Sequence, residues 1–279
     1  MEKLLDDGMA PFAIENRDGR GAAVIVVDHA SNRIPDSWGD LGLTAEAREE
    51  HIAWDPGALA VARHMSRILD APLIAGTVSR LVVDLNRPLG SATLAPAVSE
   101  TTTSPGNAAI SAADMKHRVE AVYTPYHQAV EAMVSRQVAV AAEPVAVIAV
   151  HTFTPVYKGV ARALQVGILF DRDDRLGLGM LDVLKGEDGL AAAANEPYSP
   201  ADEVYHTLDR HASSRGLPSA MIEIRNDVVR TPADQQRWAE RLAGAVTRAR
   251  GGLDRGSPLT SGSARPLRDH GTGPASTTP

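Results

Sequence analysis

The stretch AAVIVVDHA, residues 22–30, decides how the rest of the sequence is interpreted. It is a short apolar run, rich in Val and Ile, that ends in Asp28 and His29. Such a run is typical of a strand that is buried on both faces of a sheet. In open α/β sheets, ligands bind at the carboxyl ends of the strands. The sequence therefore predicts a functional site that begins with Asp28 and His29.

Two later stretches repeat this arrangement. The run VAVIAV, residues 145–150, leads directly into His151, and the predicted strand 219–224 carries Glu223 in an apolar context. A neutral imidazole is a common zinc ligand, and a rigid strand end suits the geometry of a metal site. Two histidines and one glutamate at or near the ends of core strands therefore suggest a metal hydrolase. The alternative for each histidine is a loop residue that is hydrogen-bonded to the backbone.

The composition excludes several classes of protein. The 279 residues contain no cysteine, which excludes disulfides, thiolate metal sites and a cysteine nucleophile. A net charge of -7 and an aromatic content of 4% argue against a nucleic-acid partner. No apolar stretch approaches the roughly 20 residues that cross a bilayer, and the amino terminus lacks the apolar segment of a secretory signal. We therefore expect a cytoplasmic protein that contacts no membrane and no nucleic acid.

Predicted strands alternate with predicted helices along the chain. This alternation predicts a single α/β domain with a mixed, mostly parallel sheet and helices on both faces. We expect residues 1–20 to be a lead-in, residues 21–250 to be the domain, and residues 251–279, which are rich in Gly, Ser, Pro and Thr, to be a disordered tail. The other predicted strands are 72–77, 81–85 and 163–170, and the predicted helices are 45–53, 57–69, 111–142, 176–190, 204–214 and 232–250. Residues 89–110 are predicted to form a functional or mobile loop.

A catalytic zinc usually takes three protein ligands, so a third is needed beside His29 and His151. Asp55 is the first choice, and its alternative role is the N-cap of the helix that follows it. Asn32 ranks below Asp55 because an amide is a poor zinc ligand beside a carboxylate. Asp28 is a candidate to orient one of the imidazoles from behind.

Glu223 lies in MIEIRND, residues 221–227, and is the candidate general base. Burial among apolar neighbours would raise its pKa toward the range that suits a base. The alternative is an edge-strand glutamate that faces water or pairs with Arg225.

Arg80, Asn86 and Arg87 lie together in RLVVDLNR. Arginine binds carboxylates with a planar pair of donors, and an amide adds a neutral donor. Asp84 can hold one of these side chains in place, and Arg225 is a further candidate for anion binding. These residues predict a small anionic substrate, and the alternative is a set of surface salt bridges.

Six motifs occur in order through about 200 residues: DHASNRIP at 28–35, WDPGA at 54–58, RLVVDLNRP at 80–88, VHTFTP at 150–155, NEPYSP at 195–200 and IEIRND at 222–227. On these motifs the chain resembles the N-formylglutamate amidohydrolase family, which is distantly similar to zinc carboxypeptidases and aspartoacylases. The resemblance implies the phosphorylase/hydrolase-like fold of zinc exopeptidases and Zn²⁺ as cofactor. It also implies that His29 and His151 are metal ligands, that Glu223 is catalytic, and that Asn86 and Arg87 grip a substrate carboxylate.

One position departs from the pattern of the related peptidases. They use a His-x-x-Glu metal pair, whereas the fourth residue here is Asn32. The carboxylate ligand is therefore expected elsewhere, which again favours Asp55; otherwise the metal would bind weakly or be absent. The predicted reaction is metal-assisted hydrolysis of a small anionic N-acyl amino acid, with N-formyl-L-glutamate as the leading substrate. The alternatives are a carboxypeptidase or deacylase that acts on another N-acyl or peptide-like substrate, and a non-catalytic binder of an anionic metabolite.

Overall fold

A seven-stranded sheet forms the centre of the computed structural model, which describes residues 4–253. Its strands are β1 (Phe12–Glu15), β2 (Ala23–Val27), β3 (Leu73–Gly76), β4 (Ala146–Phe153), β5 (Val166–Leu169), β6 (Ala192–Ala194) and β7 (Ser219–Arg225). Their spatial order is β1-β3-β2-β4-β7-β5-β6. The pairs β1–β3 and β5–β7 are antiparallel, and the other neighbours are parallel. The predicted α/β fold with a mixed, mostly parallel sheet is therefore confirmed.

The central strands are buried on both faces, as their apolar runs predict. Every residue of β2 and of β4 is buried. The strand β4 continues to Phe153, beyond the predicted end at residue 150. His151 therefore lies within a central strand, at a position where the backbone is paired with that of Glu223 in β7.

Helices cover both faces of the sheet, as predicted. They are α1 (Ala45–Glu49), α2 (Ala58–Ile68), α3 (Pro105–Ala108), α4 (Ala112–Arg118), α5 (Thr124–Val140), α6 (Arg175–Lys185), α7 (His206–His211) and α8 (Pro232–Leu253). Ile25 of β2 packs in one core with α2, α6 and α8, and the adjacent Val26 packs in a second core with α5 and α7. Successive residues of a strand point to opposite faces, so one strand contributes to both cores.

Shorter elements connect these layers. A π-helical segment, Val119–Tyr123, joins α4 to α5, so the predicted helix 111–142 is one helical stretch. Short 3₁₀ helices span Asp36–Trp38, Pro200–Asp202, Ser213–Arg215 and Asn226–Val229. One hairpin pairs Val98–Ser99 with Thr102–Thr103 inside the predicted loop 89–110, and another pairs Val156–Tyr157 with Val160–Ala161. Within residues 4–253, no helix combines the length and the apolar character that crossing a bilayer requires.

The predicted strand 81–85 is wrong. This segment forms turns, in which the Val82 N–H donates to the Ser79 carbonyl at 3.0 Å and the Asp84 N–H donates to the Leu94 carbonyl at 2.7 Å. The apolar side chains of the segment are buried in the core beside α5. The apolar run therefore reflects burial, and a short buried run does not by itself distinguish a strand from another buried conformation.

The predicted ends of the domain also change. Residues 1–20 are not only a lead-in, because Phe12–Glu15 forms β1 at the edge of the sheet, antiparallel to β3. The helix α8 ends at Leu253, inside the segment that was predicted to be a tail. The rest of that segment, 254–279, lies outside the described residues.

We expect the substitution Gly167→Ala in β5 to lower the free energy of unfolding by roughly 2–3 kcal/mol, because a well-packed interior does not accept an added methyl group. A Cβ atom at Gly167 would lie 1.7 Å from the carbonyl oxygen of Glu196. Gly244→Ala is the control, because a Cβ there meets no atom within 4 Å and alanine favours a helix interior. Urea unfolding measures both variants, and equal stability of Gly167→Ala and the wild type would contradict the close approach of residue 196.

Candidate active site

The candidate site lies where three central strands end. Asp28 and His29 directly follow β2, His151 lies near the end of β4, and Glu223 lies near the end of β7. These strands are parallel neighbours, and Glu223 is directly opposite His151 in the β4–β7 register. The carboxyl ends of parallel strands meet at one edge of a sheet, where ligands of α/β proteins bind. The structure therefore brings these residues together at one edge, as predicted.

Each of the two histidines is held between two carboxylates. Nε2 of His29 donates to Oδ1 of Asp84 at 2.7 Å, and Nε2 of His151 donates to Oδ2 of Asp28 at 3.1 Å. Their Nδ1 atoms both face Oδ2 of Asp55, at 3.4 Å from His29 and 2.9 Å from His151. The two imidazoles thus share one arrangement, with Nε2 on an outer carboxylate and Nδ1 turned inward.

The outer carboxylate of Asp28 is itself fixed. Its Oδ1 accepts hydrogen bonds from the hydroxyls of Tyr126 and Thr207, both at 2.8 Å. The predicted role of Asp28 behind an imidazole agrees with these contacts. Asp84 accepts the corresponding hydrogen bond from Nε2 of His29, although the sequence predicted only a contact between Asp84 and a neighbouring arginine or amide side chain.

His29, Asp55 and His151 fit a metal ion. One potential ligand atom of each lies within 4.8 Å of the other two, and all three residues are buried. Two imidazole nitrogens and a carboxylate oxygen are a donor set that zinc prefers, and an imidazole ligand typically has a carboxylate behind it. Within residues 4–253, Nδ1 of His29 and Oδ1 of Asp55 have no hydrogen-bond partner. Buried polar atoms are rarely left without a partner, so this group has donors available for a cation.

Asp55 is not a helix cap. The helix α2 begins at Ala58 after Gly57, which has a φ of 88° and caps it without a side-chain hydrogen bond. The carboxylate of Asp55 is turned to the two histidines instead. The alternative ligand Asn32 donates its amide hydrogen to the carbonyl of Arg48 at 3.0 Å and is not part of the His–Asp–His group.

The charges of the group stabilise each other. Burial alone would raise the pKa of Asp55, but the charge of His29 and the hydrogen bond with His151 hold it well below its usual range. Burial likewise acts to lower the pKa of His151, but its hydrogen bonds with Asp28 and Asp55 raise that pKa to about 10. An imidazole binds a metal ion in its neutral form, so cation binding here releases protons and is favoured as the pH rises.

Glu223 is buried beside this group. Its Oε2 atom has no hydrogen-bond partner among the described residues, and burial raises its pKa to about 7. A carboxyl group with this pKa suits general-base catalysis near neutral pH. The strand β7 lies between β4 and β5, so the alternative of an edge-strand glutamate that faces water is wrong.

A cavity of about 250 Å³ opens onto these residues and is flanked by two arginines. Nη2 of Arg80 donates to Oδ2 of Asp84 at 2.9 Å, and its Nη1 lies 3.6 Å from Oδ1 of Asp55. Nη1 of Arg87 donates to the carbonyl of Asp202 at 2.9 Å, and its Nε lies 3.9 Å from Oδ2 of Asp84. Asp84 is only 3% exposed, so these ion pairs are not the surface salt bridges of the alternative interpretation.

Asn86 and Arg225 are placed differently from these two arginines. Asn86 lines the cavity, but its amide donates to the Val204 carbonyl and accepts from the Thr207 N–H at 3.0 Å, so it holds the segment before α7. The guanidinium of Arg225 contacts Asp227 and the backbone carbonyls of residues 162–164, and Arg225 is not among the cavity-lining residues. The structure does not bring Arg225 together with the other predicted substrate contacts.

Two cavity residues had not been singled out from the sequence. Burial lowers the pKa of His51 to about 4, which keeps its imidazole neutral, and its Nδ1 lies 3.6 Å from Oδ1 of Asp55. Tyr198 also lines the cavity. The spacing of His51 four residues before Asp55 and the position of Tyr198 in NEPYSP were the available signals, but neither distinguishes a cavity residue from a structural one.

Together, the fold and the site define an α/β protein with the groups that a hydrolase requires. These are a buried His–Asp–His group and a buried carboxyl group, which line one small cavity. The model of the N-formylglutamate amidohydrolase family matches residues 21–230, and the chain belongs to this family. The resemblance inferred from the motifs is thereby confirmed, and with it an amidohydrolase type of activity.

Two solved structures are similar to the chain. A gene product of Agrobacterium tumefaciens is 38% identical to the chain, with a TM-score of 0.87, and the match covers 90% of this chain and 100% of that one. The N-formylglutamate amidohydrolase from Ralstonia eutropha is 22% identical, with a TM-score of 0.59, over 87% of this chain and 100% of that one, and so shares the fold. Among proteins with curated functions, none matches the sequence.

We expect Asp84→Asn to weaken Zn²⁺ binding by about 10- to 100-fold, because a carboxylate behind an imidazole ligand orients it and raises its basicity. His29→Ala removes a donor outright and should weaken binding further. Asp182→Asn on the exposed side of α6 is the control. Competition with a chromophoric chelator measures the affinities, and wild-type affinity in His29→Ala would exclude this group as the metal site.

Proposed function

We propose that the protein hydrolyses an N-acyl amino acid with Zn²⁺ held by His29, Asp55 and His151. The leading substrate is N-formyl-L-glutamate, which reacts with water to give formate and L-glutamate. The observation that carries the proposal is the buried His–Asp–His group beside a buried glutamate whose Oε2 has no hydrogen-bond partner among residues 4–253. Membership of the amidohydrolase family supports the same reaction class.

Zn²⁺, when bound, would supply Lewis acidity toward the amide carbonyl and toward a water molecule. Glu223 accepts the proton of the attacking water at its carboxylate and then donates it to the nitrogen of the leaving amino acid. This transfer balances the reaction, since the amide C–N bond breaks, a C–O bond forms, and the nitrogen gains a hydrogen. The raised pKa of Glu223 suits a group that both takes up and returns a proton near neutral pH.

Arg80 and Arg87 bind the carboxylates of the substrate. Both line the cavity, and both are oriented before the substrate arrives, Arg80 by its hydrogen bond to Asp84 and Arg87 by its hydrogen bond to the Asp202 carbonyl. Arginine pairs with carboxylates through two parallel donors, which favours a substrate with more than one carboxylate. Asn86 keeps the neighbouring segment in place through its contacts with Val204 and Thr207. A cavity of about 250 Å³ suits a small metabolite.

A deacylase that accepts a larger acyl group is the second candidate. A second cavity of about 350 Å³ shares His51, Ile52 and Glu100 with the first. An acyl chain longer than formyl would find room there. The substitution of Asn32 for glutamate in the His-x-x-Glu pattern keeps a further alternative open, a binder of an anionic metabolite that has no catalytic role.

We expect a chelator to abolish hydrolysis of N-formyl-L-glutamate and added Zn²⁺ to restore it, because carbonyl polarisation depends on the metal. Formate release measures the rate, and a panel of N-acetyl, N-succinyl and N-acyl neutral amino acids tested on one preparation separates the two candidates. Full activity of the metal-free protein would contradict the zinc mechanism. Absence of bound Zn²⁺ together with no turnover of any panel member would favour the binding protein.

We expect Glu223→Gln to retain Zn²⁺ and substrate affinity but to lower kcat by about 10²- to 10⁴-fold, the range of general-base catalysis. In the wild type, kcat/KM should rise with pH as Glu223 loses its proton. The midpoint lies at or below the pKa of about 7, since a bound cation favours the carboxylate. The variant should lack this rise, and an unchanged kcat would remove Glu223 from the base role.

A further inference from the structure

An arginine held among aromatic rings lies beside the active-site cavity and has no part in the mechanism above. The guanidinium carbon of Arg162 is 4.5 Å from the ring centroid of Tyr157 and 5.2 Å from that of Tyr198. Nη1 of Arg162 also donates to the hydroxyl of Tyr198 at 3.3 Å. Because Tyr198 lines the cavity, this arrangement fixes a phenol at the cavity wall.

The loop that carries Tyr198 is pressed against the sheet. The carbonyl oxygen of Glu196 lies where a Cβ atom of Gly167 would be, and the Cβ of Glu223 is 3.6 Å from the same point. The Asn195 N–H also donates to the carbonyl of Ile168 at 3.0 Å. The backbone two residues before Tyr198 therefore runs next to the candidate base.

Arg225 anchors the backbone of the segment that begins at Arg162. Its Nη1 contacts the carbonyls of residues 162–164 at 2.8 to 3.4 Å, and its Nε donates to Asp227 at 2.7 Å. Arg225 lies two residues after Glu223 in β7. The strand that carries the candidate base therefore also anchors the segment that carries Arg162.

The hydroxyl of Tyr198 has a proton available for a ligand. It accepts a hydrogen bond from Arg162, and its own hydrogen has no acceptor within residues 4–253. Burial, and then the charge of Glu223, raise the pKa of Tyr198, so the phenol stays protonated at neutral pH. A donor on the phenolic oxygen also polarises the O–H bond, because linked hydrogen bonds strengthen each other.

We propose that Tyr198 is a further catalytic residue, whose phenolic O–H donates a hydrogen bond to the amide oxygen of the substrate as that oxygen becomes negative. Arg162 is the positioning residue that fixes the phenol. The proton stays on the phenol throughout. The hydrogen bond therefore stabilises the negative charge on the substrate oxygen, and no atom is transferred to or from Tyr198. Donors that are oriented in advance toward developing charge stabilise the transition state more than the bound substrate. The inference rests on the proposed hydrolysis.

The test compares three single variants and one double variant of the Zn²⁺-loaded protein. Tyr198→Phe should lower kcat roughly 100-fold with little change in KM, the effect of removing one donor to a developing oxyanion. Arg162→Met should lower kcat in the same sense, and it should add little in the Tyr198→Phe background, because it acts through that hydroxyl. Tyr205→Phe, which removes a buried phenolic hydroxyl that contacts Ser219 at 3.1 Å, is the control and should keep wild-type kcat.

A binding measurement supplies a readout that does not depend on turnover. A phosphonate analogue of N-formyl-L-glutamate, with a tetrahedral phosphorus in place of the amide carbon, should bind Tyr198→Phe roughly 100-fold more weakly than the wild type, whereas L-glutamate should bind both equally. Calorimetry measures both ligands.

Failure of this proposal differs from failure of the proposed function. An unchanged kcat and unchanged analogue affinity in Tyr198→Phe would overturn the role of Tyr198 alone. A rise in KM without a fall in kcat would assign Tyr198 to substrate binding and would also overturn it. Absence of turnover and of analogue binding in the wild type would refute both.

Discussion

The carboxylate of Asp55 is the contact on which the site depends. A single oxygen of this buried group faces Nδ1 of both histidines, at 2.9 Å and 3.4 Å. A buried carboxylate is costly unless opposite charges and hydrogen bonds compensate for the lost water. His29 and His151 supply that compensation, and each is held by a second carboxylate, Asp84 or Asp28. The network is therefore interdependent: removal of one member leaves its partner buried and unpaired, which ties the stability of this sheet edge to the ligand set.

The order of the strands explains how residues so far apart in sequence meet. The strands β2, β4 and β7 are adjacent and parallel, so their carboxyl ends lie side by side. The position of His29 and His151 at this edge could be predicted from the sequence. Each follows or ends an apolar run that is long enough for a buried strand. Glu223 could be predicted as buried for the same reason, since its neighbours in β7 are apolar.

Other features could not be predicted, because they depend on partners that are distant in the chain. The sequence grouped Arg225 with Arg80 and Arg87 by residue type alone. The structure separates them: Arg225 has local acceptors in residues 162–164 and Asp227, whereas Arg80 and Arg87 converge on Asp84. The residue type shows that a side chain is positively charged. It does not show which carbonyl or carboxylate group that side chain contacts in the fold. The edge strand β1 was missed because its four residues, FAIE, give too short a pattern.

Residues 81–85, for which the sequence predicted a strand, show why the site requires turns in this part of the chain. Turns after residue 79 let Arg80 and Asp84 meet each other at 2.9 Å and let Asp84 reach His29. In a strand, residues four apart are separated by roughly 13 Å, which does not allow such a contact. The turns leave buried carbonyls that need donors from outside a ladder. Asn107 donates to the carbonyl of Leu81 and Arg118 to that of Val82, both at 2.8 Å. These two buried polar side chains do not line the cavity, yet they stabilise the backbone conformation that places Asp84 against His29.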